Sequence, residues 1–117
     1  MTIPIASIFF MALAALLGAL GQYLYKSGAD AADGTLLSYA VNARIVGGVA
    51  CYAGVMTLFI AAFRLGGSLT VLYPIYASTF IWAAFIAWKV YGTPISVINV
   101  AGMLALILGM YLMGKTA

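Results

Sequence analysis

The sequence predicts an all-α membrane protein with four transmembrane helices in an up-down-up-down bundle that works as a dimer. Of its 117 residues, 67% are apolar and only 6% are charged, whereas about 25% of residues are charged in a typical soluble domain. The mean hydropathy is +1.18. Four apolar stretches each approach the ~20 residues that a helix needs to cross the hydrocarbon layer. We therefore expect one transmembrane domain that spans residues 1–117.

The predicted helices cover residues 3–25, 45–63, 69–88 and 95–114. The loop at residues 26–44 contains the two acids of the chain, Asp30 and Asp33, and we expect its segment 35–41 to lie along the membrane interface. The connections RLGGS and YGTP are short. Paired glycines allow a tight reversal in the first, and Thr93 and Pro94 are suited to cap and to open the fourth helix. Such short connections favour antiparallel neighbours.

The first apolar stretch closes on the polar segment GQYLYKSG at residues 21–28. Gln22 and Lys26 are four residues apart, so they share one helical face with Ala14 and Gly18. Polar side chains are costly in hydrocarbon and usually mark a binding site or a pathway. We therefore consider Gln22 and Lys26 candidate substrate-binding residues.

An up-down-up-down path brings Lys26, Arg44 and Lys89 to one face of the membrane. One interpretation is that these side chains reach the interface and anchor the helices. The other is that they form a cationic ring for the headgroup of an anionic lipid, to which Gln22 adds hydrogen bonds. Both interpretations remain open at this point, and Arg44 and Lys89 join the candidate substrate-binding residues.

The third predicted helix contains the segment YPIYAST, with Tyr73 and Tyr76 on either side of Pro74. A proline inside a helix removes a backbone donor and favours a kink, and a kinked helix can line a cavity. The two tyrosines suit either a sugar or isoprenoid chain or ordinary packing. Four further aromatic residues are typical of lipid-facing or interfacial positions: Phe80, Trp82, Phe85 and Trp88.

Small residues recur at helical spacing in the fourth predicted helix, at Ala101, Gly102, Ala105 and Gly109. Such faces let helices approach closely. They fit either packing within one subunit or an interface between subunits, and we name these four residues as a candidate oligomer interface. A similar set occurs in the second helix at Gly47, Ala50, Cys51 and Gly54. Because four helices enclose little volume, a transport pathway forms more readily between two such units.

Three stretches, GQYLYKSGA, GSLTVLYPIYASTFIWAAFIAWKVYGTPIS and GMLALILGMYL, resemble the small four-helix members of the drug/metabolite transporter superfamily. They most resemble the paired subunits proposed to flip aminoarabinose-phospho-undecaprenol. This resemblance implies a transporter or flippase subunit that moves a lipid-linked sugar or polyprenyl-phosphate across the bacterial cytoplasmic membrane. The implied partners are membrane lipid and a second small subunit, identical or similar. That family often has Glu at the position of Thr93, a departure that bears on its coupling or pairing chemistry.

The chain is also similar to the small multidrug resistance exporters, in its length and in Gly102 and Gly109. Those exporters depend on a membrane-embedded glutamate in helix one, whereas the segment FFMALAALLGALG contains no ionisable group. Both acids fall in the first predicted loop, where we expect solvent contact and ordinary acidity. Proton–cation exchange is therefore disfavoured, because it needs a buried carboxylate. A metabolite or drug exporter and a non-transporting membrane scaffold remain alternatives.

Residue types needed for several other functions are missing from the sequence. It has no histidine, one cysteine and no phosphate-binding glycine loop. We expect no catalytic residues, no cofactor, no metal site and no nucleic-acid binding. Cys51 is expected to behave as a small apolar residue.

Overall fold

The computed structural model describes residues 4–115. Within that range four helical spans are long and apolar enough to cross a membrane. The elements in chain order are α1 (Ile5–Ala31), α2 (Leu36–Ala40), α3 (Ala43–Leu65), α4 (Leu69–Ile75), a 3-10 turn (Tyr76–Ser78), α5 (Thr79–Tyr91) and α6 (Val97–Gly114). The third span consists of α4, the turn and α5. The chain is thus a helical integral membrane protein, as its composition predicts.

Helix α1 continues to Ala31, beyond the predicted end at Tyr25. The Lys26 ammonium donates to the Asp30 carboxylate one turn later at 3.0 Å, and such a pair supports a helix. Asp30 therefore belongs to the end of α1, so the prediction that both acids lie in the loop was wrong. Hydropathy delimits the apolar span, whereas the helix itself extends through polar residues that pair with one another. The predicted start at Ile3 lies outside the described residues.

The connection from α1 to α3 contains the short helix α2, within the segment expected at the interface. Its N-cap Thr35 accepts a hydrogen bond from the Ser38 N–H. The Asp33 carboxylate in turn accepts from the Thr35 backbone N–H at 2.9 Å and from its hydroxyl at 2.7 Å. Both hydrogen bonds stabilise the charged carboxylate and so lower the pKa of Asp33 below its ordinary value. The bond from the Thr35 hydroxyl has the larger effect. The expectation of ordinary acidity was therefore wrong for Asp33.

Helices α1 and α3 pack along their whole length, and polar contacts join them near both ends. The Ser7 hydroxyl lies 2.9 Å from the carbonyl oxygens of both Ala62 and Gly66, and its one hydrogen can donate to only one of them at a time. At the other end the Asn42 amide donates to the Gly28 carbonyl at 2.8 Å. The start of α1 therefore lies against the end of α3, and the end of α1 against the start of α3.

Glycines allow the two helices to approach closely. A Cβ atom added to Gly48 would lie 2.6 Å from the Tyr25 ring, and one added to Gly21 would lie 2.8 Å from the Tyr52 ring. The two tyrosine rings stack with centroids 5.5 Å apart. The Leu17 side chain likewise occupies the space that a Cβ atom on Gly54 would need. Gly21 of α1 and Gly48 and Gly54 of α3 therefore serve packing within the subunit.

The connection before α6 differs from the prediction. Helix α6 begins at Val97, and its N-cap is Ser96, which forms a reciprocal capping box with Asn99. Thr93 and Pro94 lie outside the helix, so the prediction that they cap and open it was wrong. The Ser96–Asn99 pair satisfies two backbone donors, which explains why the helix begins there. The glycine pair of RLGGS does form a tight connection, with φ of 120° at Gly66 and 109° at Gly67.

The apolar core lies at the end of the molecule opposite Lys26. Met11, Ala62 and Leu72 are fully buried there, with Phe10, Phe59 and Ile75 packed around them. By contrast, no residue of α6 is buried. This helix contacts mainly α4 and the 3-10 turn, so most of its surface faces outward.

Candidate ligand cavity between α1 and α5

A polar contact inside the membrane span involves Gln22 of α1 and Tyr52 of α3. The Gln22 Nε2 donates to the Tyr52 hydroxyl at 2.7 Å, and that hydroxyl donates to the Gly18 carbonyl at 3.2 Å. The Tyr52 oxygen thus acts as acceptor and donor at once. Among residues 4–115, Gln22 uses only Nε2 in a hydrogen bond, so its carbonyl oxygen is left for other partners.

Tyr76 reaches the same part of α1. Its hydroxyl occupies the space that a Cβ atom of residue 18 would fill, so a side chain at this position would displace it. The Tyr76 ring meets Phe59 edge to face at 4.9 Å, and the Tyr73 ring meets Phe59 similarly at 6.1 Å. Tyr73 and Tyr76 therefore contact one phenylalanine of α3, and neither lines the cavity described next. The α-helix ends one residue after Pro74 and continues as the 3-10 turn.

A cavity of about 380 Å³ lies between α1 and α5, within the range of small-molecule sites. We call it the α1–α5 cavity. Polar groups at one end of it belong to Gln22, Lys26, Tyr91 and Thr93. Its remaining walls are Ala19, Tyr23, Ala83, Ile86 and Ala87. The cavity therefore combines a polar end with apolar walls.

Lys26 is the cationic group of this cavity. Its ammonium lies 3.0 Å from Asp30 and 5.3 Å from the centroid of the Tyr91 ring. Both members of the ion pair are more than half exposed, so the pair is weak enough to exchange for another anion. Of the described residues, no second acid contacts Lys26. The site is thus suited to an anionic group that also accepts hydrogen bonds.

The other two predicted cations lie outside the α1–α5 cavity. Lys89 lines a neighbouring groove of about 420 Å³, which we call the tryptophan groove. That groove is lined by Leu20, Tyr23, Trp82, Phe85, Ile86, Trp88, Lys89 and Val90. Arg44 is exposed at the start of α3 and its Cβ lies beside Gly28. The three cations therefore do not converge on one cavity.

The small residues of α6 lie on an open surface. A Cβ atom added to Gly102 or to Gly109 would meet nothing within 4 Å. With Ala105, these glycines line a groove of about 330 Å³, which also includes Pro74 and Ala77. We call it the α6 groove. Ala101 is exposed and lies outside it.

Sequence reasoning missed two residues of this region, Tyr52 and Tyr91. Tyr52 is the only tyrosine inside the second predicted span. A tyrosine hydroxyl within a membrane span needs a hydrogen-bond partner, so this residue indicates a polar contact with another helix. Tyr91 follows Lys89 by two positions and resembles an interfacial anchor. Only the packing of α5 against α1 places its ring next to Lys26.

Comparisons with known proteins do not assign the chain to a family. No protein-family model matches it. No curated protein and no solved structure gives a significant match. The functional argument therefore depends on the residues and their geometry.

Proposed function

We propose that this chain is a subunit of a transporter or flippase that moves an anionic lipid-linked sugar or a polyprenyl-phosphate across the bacterial cytoplasmic membrane. The α1–α5 cavity is the observation that supports this proposal most strongly. It places the Gln22 amide and the Lys26 ammonium beside apolar walls. Both side chains belong to α1, which is long and apolar enough to span the bilayer. An amphiphile with a phosphate and a hydrocarbon chain fits both halves of such a site.

In this proposal Lys26 binds the phosphate and Gln22 binds sugar or phosphate oxygens. The Tyr52 hydroxyl holds the Gln22 amide in place at 2.7 Å. Thr93 also lines the polar end, and the related transporters that the sequence resembles often have Glu at this position. A hydroxyl in place of a carboxylate keeps the site cationic, which favours an anionic substrate.

A cationic drug is the substrate of the other family that the sequence resembles, and this cavity is poorly suited to it. Lys26 lines the cavity and would repel a cationic ligand, and none of the described lining residues is a carboxylate that could pair with one. Here Lys26 lies over the Tyr91 ring at 5.3 Å, so the ring already has a cation beside it. The proposal is one of transport, and we assign no catalytic role to the chain.

We further propose that the helices form an up-down-up-down bundle and that two subunits assemble to complete the pathway. The reciprocal contacts between the ends of α1 and α3 support the first part. The outward-facing α6 supports the second, because its small residues leave the α6 groove unfilled in a single chain. The partner is a second copy or a similar small subunit.

The test is flipping of a labelled polyprenyl-phosphate sugar in vesicles that contain the purified protein. Gln22→Ala should slow flipping by about threefold, the equivalent of one membrane hydrogen bond of ~0.6 kcal/mol. Lys26→Ala should slow it more strongly, because it removes the cation that lines the cavity. The matched control is Lys115→Ala, which removes an equal charge beyond the end of α6.

Three results would contradict the proposal. Unchanged flipping in both cavity variants would remove the headgroup assignment. No flipping by the unaltered protein, together with stoichiometric copurification of another membrane protein, would favour a scaffold. Resistance to cationic drugs on expression would favour an exporter.

A further inference from the structure

The tryptophan groove has a composition that the transport proposal does not explain. Its walls include the large side chains of Trp82, Phe85 and Trp88, which are 40%, 45% and 50% exposed. The Lys89 ammonium lies at the same groove, 5.6 Å from the centroid of the Trp88 ring. The groove thus presents broad aromatic surface next to one cation.

We infer that the tryptophan groove is a binding site for one anionic lipid, whose chain lies along the aromatic walls and whose phosphate pairs with Lys89. A volume of about 420 Å³ is within the range of ligand sites. Basic side chains beside apolar grooves between membrane helices are suited to anionic headgroups. Lys89 was expected to help bind the transported substrate, and this inference gives it a separate ligand.

Charge complementarity favours a lipid phosphate over a second copy of the chain as the occupant. The chain has two acids in total. Asp30 pairs with Lys26 at 3.0 Å, and Asp33 accepts two hydrogen bonds from Thr35. The acidic side chains of a second copy therefore already have partners within their own chain, which favours a lipid phosphate as the partner of Lys89. Phospholipid headgroups supply phosphate at the depth of a residue near the end of a membrane span.

The tryptophan groove is separate from the α1–α5 cavity but adjoins it. Tyr23 and Ile86 line both, so these two side chains stand between them. The inference does not depend on transport. A protein that binds lipid at Lys89 and flips nothing would leave it intact, and a protein that flips substrate without lipid selectivity at Lys89 would refute it alone.

The two tryptophans of the chain both line this groove, so intrinsic fluorescence reports on its occupant. The experiment places the full chain in phosphatidylcholine vesicles with a minor fraction of dibrominated lipid, because bromine on the chain quenches nearby indoles. The brominated lipid is phosphatidylglycerol, phosphatidic acid or phosphatidylcholine in separate samples. Phosphatidylglycerol presents a phosphodiester and phosphatidic acid a phosphomonoester. We expect both anionic lipids to quench more than brominated phosphatidylcholine.

Lys89→Gln should lower the preference for the anionic lipids by about fivefold, as expected for loss of one cation near the membrane surface. Lys115→Gln is the matched control, since Lys115 also lies over an aromatic ring, that of Tyr111 at 5.8 Å, but outside the groove. It should leave the preference unchanged. Equal quenching by all three brominated lipids would overturn the inference. So would an unchanged preference in Lys89→Gln, or no quenching by any lipid, which would mean that protein covers the groove.

Discussion

Tyr52 shows how a residue from a neighbouring helix prepares the candidate cavity. Its hydroxyl accepts from Gln22 and donates to the Gly18 carbonyl, so one oxygen links two positions one turn apart on α1. Its ring stacks on Tyr25. The side chain therefore fixes the Gln22 amide in one orientation, which lowers the entropy that Gln22 loses on binding a ligand.

Tyr52→Phe keeps the stacked ring and removes this hydroxyl. We expect the free energy of unfolding in detergent to fall by about 0.5–1.5 kcal/mol, the usual value of a hydrogen bond within a protein. Ligand affinity at Gln22 should fall as well, because the amide becomes mobile. Tyr111→Phe is the control, since Tyr111 is 60% exposed on α6. Equal stability of the two variants would show that the Tyr52 hydroxyl contributes little.

The Lys26–Asp30 pair sets the availability of the cation in the α1–α5 cavity. Both side chains are exposed, and an anionic headgroup must compete with Asp30 for the same ammonium. Asp30→Asn removes the competitor and should raise the affinity for a polyprenyl-phosphate severalfold, measured by titration in detergent. Asp33→Asn, which changes the same charge away from the cavity, is the control. Weaker binding in Asp30→Asn would mean that Asp30 positions Lys26 for the ligand.

At the scale of elements, the structure contrasts two faces rich in small residues. Beside the glycines of α1 and α3, aromatic and aliphatic side chains occupy the space that a Cβ atom would need. Beside Gly102 and Gly109 of α6, that space is open. Gly48→Ala should therefore lower the free energy of unfolding by about 1–3 kcal/mol, the cost of overpacking. Gly102→Ala should leave it unchanged or raise it slightly, because alanine favours a helix. Comparable losses from both would contradict this contrast.

Sequence patterns predicted the four spans because hydropathy reports directly on burial in lipid. They predicted Gln22 and Lys26 on one face because both belong to a single helix with a fixed period. They could not place Arg44 and Lys89 relative to Lys26, since a shared membrane face does not fix lateral position. The end of α1 and the start of α6 were missed for a local reason. Each depends on polar side chains, Lys26–Asp30 and Ser96–Asn99, that hydropathy does not register.

At the scale of the whole molecule, α6 is attached along one side only. It packs against α4 and the 3-10 turn, and none of its residues is buried. An apolar helix surface is stable in lipid without a partner, so exposure alone does not require a second subunit. The α6 groove is more specific, because Gly102, Ala105 and Gly109 leave a cleft that a neighbouring helix can enter closely.

Gly109→Leu tests whether this groove is the interface between subunits. A Cβ atom at position 109 meets nothing within 4 Å in one chain, so the folded monomer should largely keep its unfolding free energy while the dimer dissociates and transport is lost. Native mass spectrometry from mild detergent measures the subunit number. Leu104→Phe adds bulk to an exposed position of α6 outside the groove and should preserve the dimer.

Crosslinking then locates the interface directly, and its outcome decides between the two uses of small residues. With the native Cys51 changed to Ala, single cysteines at positions 105 and 109 should form disulfides between subunits, and a cysteine at position 104 should not. The reason is distance, because a disulfide needs Cα atoms within about 7 Å and only a closely packed small-residue face brings two backbones that near. Crosslinks at 104 alone would place the interface on the opposite face of α6. Absence of crosslinks at 105 and 109 in a confirmed dimer would assign the interface to another helix.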